Sequence, residues 1–162
     1  MKVAFWRNGA SALLALSLAA CATAPAPASI AATVAATPQL STVNRLIAAA
    51  GLGDALRAQG PLTLFAPSDE AFRAVPAQTL AELGANKEWL KSVLSYHLLP
   101  GKLLATEVKN SSVKTVNGAN LALAQAGTIV TMEDAVVVQA DMLASNGVVH
   151  VIDRVLLPPK VR

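Results

Sequence analysis

The sequence predicts an α+β domain, and three observations carry that prediction. Apolar residues recur at helical spacing through much of the chain up to residue 98. Beyond residue 100 the pattern changes to short β-rich runs separated by turn dipeptides such as Asn117-Gly118 and Asn146-Gly147. A ten-residue corner, residues 63–72, holds both habits, a strand running into a helix. Helices first and strands later point to α+β rather than to an alternating α/β order.

The corner is the most legible stretch. Residues 63–66 (Thr63, Leu64, Phe65, Ala66) have strand character, and Pro67 holds its φ near −65° and pushes Ala66 towards extended geometry. Ser68 stands where a helix N-cap belongs, with Asp69 and Glu70 in the first turn, where negative charge suits exposed amides. Ala71 and Phe72 begin the apolar face of that helix. Phe65 and Phe72 are two of the four aromatic residues beyond residue 20, so the core is expected to assemble here.

Taken from its first residue, the chain opens with Lys2 and Arg7 followed by an apolar run over 10–20. That run is shorter than the roughly 20 apolar residues a membrane span needs, so residues 1–20 read as a cleaved signal. It ends Leu18-Ala19-Ala20-Cys21, which resembles the lipobox of bacterial lipoproteins and implies a lipidated Cys21. The other reading is an ordinary secretory signal with Cys21 as a stray thiol, unwelcome in an exported protein. Ala22 in place of an aspartate resembles outer-membrane sorting, where the source has an outer membrane. The expected location is therefore the bacterial cell envelope, anchored through Cys21.

Residues 21–37, the cysteine and an Ala/Pro/Thr/Ser-rich stretch, read as a tether, and 38–162 as one domain. Leu40, Val43, Leu46, Ile47 and Ala50 predict a helix with Ser41 or Thr42 as cap and Gly51 as stop. A short helix over 54–59, closed by Gly60, precedes the corner. After Pro76 another is expected over 77–83, ending at Gly84. Asn86 caps a helix carrying Trp89, Leu90, Val93, Leu94, His97 and Leu98, which Pro100-Gly101 ends. Strands are expected at 102–104, 113–116, 121–123, 128–132, 135–138, 148–152 and 155–157.

Three segments, in order, resemble the fasciclin (FAS1) domain family. Residues 63–72 are similar to its first signature box, and Thr63, Phe65, Pro67, Ser68, Asp69 and Phe72 are the positions that carry it. Asn146-Gly147-Val148-Val149-His150-Val151-Ile152-Asp153 is similar to the second box, carried by Asn146, Gly147 and His150. Tyr96-His97 before Leu98-Leu99-Pro100-Gly101 resembles the tyrosine-histidine segment between them. The resemblance covers roughly residues 38–159. It implies a β-wedge of short strands with several helices packed against it, in a module for cell adhesion or contact with a protein or polysaccharide, generally without catalysis. Single-domain lipid-anchored bacterial members are a subset this chain resembles.

The resemblance also implies candidate binding residues. Tyr-His in some animal domains is assigned a receptor role, which would fall on Tyr96 and His97. On their own terms these residues lie on an apolar helix face and read as core. Asp141-Met142 stands where animal adhesion proteins carry an Asp-Ile dipeptide. The plainer reading of Asp141 is a loop carboxylate accepting backbone hydrogen bonds. His150, between Val149 and Val151, is expected in a strand buried on both faces and bonded to the corner around Ser68 and Asp69.

Several classes are disfavoured. Without Lys2 and Arg7, and with no acidic residue in the first 20, the formal charge falls from +3 to about +1. No Lys/Arg cluster remains for nucleic acid. His97 and His150 are the only histidines and Cys21 the only cysteine, so no metal or other cofactor is expected. Ser68 is committed to a cap, and neither a Gly-x-Ser-x-Gly elbow nor a phosphate loop is present, so an enzyme is not expected. A carrier remains open beside the adhesion module: the wedge could enclose an apolar pocket for a small hydrophobic ligand.

Overall fold

Two parallel strands at the centre of the molecule divide its interior into two cores. A computed structural model describes residues 28–58 and 60–159. Six helices are described: α1 (Ile30–Ala36), α2 (Ser41–Ala50), α3 (Ala55–Ala58), α4 (Asp69–Arg73), α5 (Ala77–Ala85) and α6 (Lys87–Tyr96). The strands are β1 (Leu62–Pro67), β2 (Leu98–Pro100), β3 (Ser111–Lys114), β4 (Asn120–Ala126), β5 (Ile129–Met132), β6 (Ala135–Ala144) and β7 (Gly147–Ile152). They form one sheet in the order β2-β1-β7-β6-β5-β4-β3, in which only β1 and β7 run parallel.

Side chains alternate across a strand, and here each face finds its own core. Leu64 and Ala66 of β1, with Val149 and Val151 of β7, join Ile30, Val43, Leu56, Leu90 and Leu94 on the helical side. Phe65 and Ile152 turn the other way, towards Leu99, Leu121, Val130, Met132 and Leu156. All six residues of β7 are buried, as the run over 148–152, apolar on either side of His150, predicts. Sheet and helices thus give the expected α+β wedge.

The largest departure is at the N-terminal side. The tether expected over 21–37 is too long, because Ile30–Ala36 is a helix of the domain. Ser29 caps it by accepting from the Ala32 amide, and Ile30 and Val34 are buried in the helical-side core. Read as linker composition, the stretch hid two large apolar residues four apart, on one helical face. Residues 1–27, including the expected signal and Cys21, lie outside the described residues.

Other corrections are local. Helix α5 runs through Gly84 to Ala85. Helix α6 stops at Tyr96, and Leu98 opens β2, pairing with Leu64 of β1. Residues 102–104 and 155–157 are not strands. Conversely, β6 is ten residues long where four were expected, because two one-residue bulges carry it past polar positions.

Candidate functional site

The first box behaves as a corner that also reaches outward. Ser68 caps α4, its Oγ accepting from the Ala71 amide at 3.1 Å. Asp69 does not bond to His150. Its Oδ1 accepts from the Thr42 amide at 2.8 Å and its Oδ2 from the Ser41 hydroxyl at 2.7 Å. Neither Ser41 nor Thr42 caps α2, since no side-chain cap bond forms at that N-terminus; Asp69 supplies the acceptor from another part of the chain. Burial alone would raise the Asp69 pKa, but the Thr42 and Ser41 hydrogen bonds, helped by Arg73, bring it below the usual carboxylate range. Asp69→Ala is therefore expected to cost about 1–2 kcal/mol in denaturant unfolding, the worth of a helix cap. Asp69→Asn, which keeps an acceptor, should cost less. A double-mutant cycle between Asp69 and His150 should return no coupling; measurable coupling would show that the partners assigned here are incomplete.

His150 serves the opposite face. Its Nε2 donates to the Leu103 carbonyl at 2.8 Å, and its Nδ1 accepts from the Asp141 amide at 3.1 Å, which assigns the neutral Nε2-H tautomer. The ring stacks on Phe65 with centroids 5.1 Å apart. Burial lowers its pKa, against the opposing pull of the Leu103 bond and the Asp141 charge. Asp141 sits at a bulge of β6 with φ 57°, a left-handed conformation that aspartate tolerates better than most residues. Its Oδ1 accepts from the Ala105 amide at 2.8 Å. Met142 is partly buried and packs against the helical-side core. Asp141 and His150 together hold the 103–105 loop to the sheet.

Tyr96 and His97 have different partners. His97 is 1% exposed; its Nδ1 donates to the Val93 carbonyl at 2.8 Å and its Nε2 accepts from the Leu156 amide at 3.1 Å. Its own carbonyl accepts from the Phe65 amide. Tyr96 is buried, and its hydroxyl donates to the Asn120 carbonyl at 3.2 Å. Burial raises the Tyr96 pKa, and the neighbouring Glu133 carboxylate adds to the shift.

Burial pushes the His97 pKa down to about 4. The neutral ring is the folded form, so its contribution is complete above the unfolded pKa near 6.5 and is lost as pH falls towards 4. That interval corresponds to roughly 3 kcal/mol, and His150 adds in the same direction. Urea titrations at pH 7 and pH 4 should show this loss, reduced in His97→Gln. A flat profile between these values would contradict the burial of both rings as neutral species.

An open surface lies beyond the C-terminal ends of β1 and β7, around the irregular segment 153–157. Asp153 anchors it, exchanging backbone and side-chain bonds with Val136. A depression of about 560 Å³ includes Tyr96, Glu133, Asp134 and Arg154 in its walls. Another of about 320 Å³ is largely apolar, between Ala71, Val75, Pro76 and Val155. Leu157, 46% exposed, borders both. A third, of about 480 Å³, holds Asp69, Glu70, Arg73 and Asp153. Sequence reasoning missed this surface by taking 155–157 as a strand. Pro158-Pro159 was the available signal, since proline does not continue a sheet ladder. Among the described residues no group of three His, Cys, Asp or Glu side chains is placed to hold a metal ion, and no helix is long and apolar enough to cross a membrane.

Comparison with known proteins places this geometry. The family model for the Fasciclin domain matches residues 38–158. Protein sll1483 of Synechocystis is 44% identical over 121 residues, covering 74% of this chain and 67% of that protein. Immunogenic protein MPB70 of Mycobacterium bovis is 32% identical over 127 residues, covering 75% of this chain and 65% of that protein. Transforming growth factor-beta-induced protein ig-h3 of Sus scrofa is 35% identical over 123 residues, but only 18% of its length is spanned. Among solved structures, a FAS1 domain pair from the insect cell adhesion molecule Fasciclin I superposes with a TM-score of 0.64 at 17% identity, over 80% of this chain and 51% of that one. The chain belongs to the fasciclin domain family.

Proposed function

We propose that this protein is a non-catalytic, lipid-anchored envelope module that mediates adhesion by binding a surface protein or polysaccharide through the 153–157 end of its sheet. The observation that carries this reading is how the signature residues are used. Ser68, Asp69, His97 and His150 have their polar side-chain atoms engaged within the fold. The surface around Arg154 and Leu157, by contrast, offers a mixed polar and apolar relief of the kind macromolecular contacts use. The solved neighbour comes from a cell adhesion molecule, which agrees with this reading.

The test is a cell-aggregation and biofilm assay in a deletion strain complemented with wild type or with Arg154→Glu/Leu157→Ser, using circular dichroism as the fold control. Loss of adhesion with the fold retained is expected. A fully adhesive double variant would move the contact elsewhere. The anchor is tested by palmitate labelling, which should vanish in Cys21→Ser; equal labelling would refute it.

The apolar depression between Val75, Pro76 and Val155 favours one second reading, carriage of a small hydrophobic ligand. Solvent extraction of purified protein followed by mass spectrometry would reveal a stoichiometric ligand if this is so.

A further inference from the structure

Two facts about the N-terminal side fix which end of the domain a lipid anchor would hold. First, the domain begins at the turn between β6 and β7. The Ala28 carbonyl accepts from the Ser145 amide at 2.9 Å, and the Ile30 amide donates to Asn146 Oδ1 at 2.8 Å. Second, since α1 belongs to the core, only the six residues 22–27 separate Cys21 from Ala28, rather than the whole 21–37 stretch. The seven Cα steps from Cys21 to Ala28 reach at most about 24 Å, so the turn cannot stand far from the lipid.

β1 and β7 run parallel, from Leu62 and Gly147 beside this turn to Pro67 and Ile152. The 153–157 surface therefore lies at the far end, roughly 17 Å further along the strands at 3.3 Å per residue. At the near end, next to the turn, β6 exposes Leu143 at 62%, the most exposed large apolar side chain among the described residues.

We infer that the β6–β7 turn faces the bilayer, with Leu143 resting in the lipid interface and the 153–157 surface directed away from it. The occupant of this end is a lipid surface. This inference rests on the reading that Cys21 carries lipid, and it adds an orientation that anchoring alone does not dictate. It also gives the exposed Leu143 a partner, and leaves the proposed adhesive end unobstructed.

The test uses the full lipidated chain with one introduced thiol, Leu143→Cys or Leu157→Cys, both at exposed positions. Each is labelled with an environment-sensitive fluorophore and reconstituted in phosphatidylethanolamine/phosphatidylglycerol vesicles containing a headgroup-nitroxide lipid. The label at 143 should shift to the blue and be quenched several-fold more than the label at 157. Equal weak quenching at both positions, or stronger quenching at 157, would overturn the orientation. The anchor is scored separately: the chain without an introduced thiol should take up no fluorophore. Uptake of one label would show Cys21 free, and the orientation would fall with the anchor.

Discussion

Gly147→Ala is expected to lose about 4 kcal/mol or more of stability, or to leave little folded protein. Gly147 opens β7, pairing with Leu62 of β1 on one side and Ala144 of β6 on the other. A Cβ at this position would land on the Leu62 carbonyl oxygen and come within 2.9 Å of Ile30 Cδ1. The first obstacle is backbone in a neighbouring strand, which cannot swing aside as a flexible side chain would. Relief would require separating β1 from β7, the pair on which both cores are built. Gly84 provides the contrast: it lies within α5, and a Cβ there meets nothing within 4 Å. Gly84→Ala should therefore be neutral or stabilising by up to about 1 kcal/mol through helix propensity. Denaturant unfolding of the two variants decides the matter. A Gly147→Ala protein within about 1 kcal/mol of wild type would contradict the close approach of β7 to Leu62.

Phe65→Ala is expected to cost about 3–5 kcal/mol, as for other fully buried aromatics. The ring is 0% exposed, packs in the second core and stacks on His150. Its loss leaves a cavity against the β-sheet wall and removes one face of the histidine's apolar surroundings. A second readout follows. Burial is the main cause of the lowered His150 pKa, so water admitted beside the ring should move that pKa up towards its ordinary 6.5. NMR titration of His150 in Phe65→Leu, which retains more of the packing and should fold, measures the trend. An unmoved His150 pKa in a folded variant with Phe65 truncated would mean that other groups, not Phe65, keep the ring dry.

Local physics carried part of this fold into plain view. Ser68 and Asn86 were legible as caps because a side-chain oxygen three residues before an amide acts within one helical turn, and both bonds form as expected. The buried β7 was legible because five apolar-flanked positions in a row leave no solvent face. Asp69 was only half legible. Its place at a helix start was apparent, while its role as the acceptor for α2 depends on where α2 packs. The same holds for Asp141 and His150, whose bond spans a bulge that no periodicity announces.

By itself, the sequence determined the α+β class, the helices from α2 to α6, the corner at Pro67 and Ser68, and, through the resemblance of three segments in register, the family. The class, the helices and the corner follow from interactions within a few residues, where spacing and backbone preference are enough; the family came from the resemblance of those segments. Only the tertiary structure decided that residues 30–36 belong to the core, that Asp69 caps a distant helix, and that His97 and His150 are locked as neutral rings. It also decided that the chain enters at one end of the sheet while the open surface lies at the other. Each of those depends on which distant groups meet once both faces of β1 and β7 are buried, and burial of that kind is a property of the assembled chain.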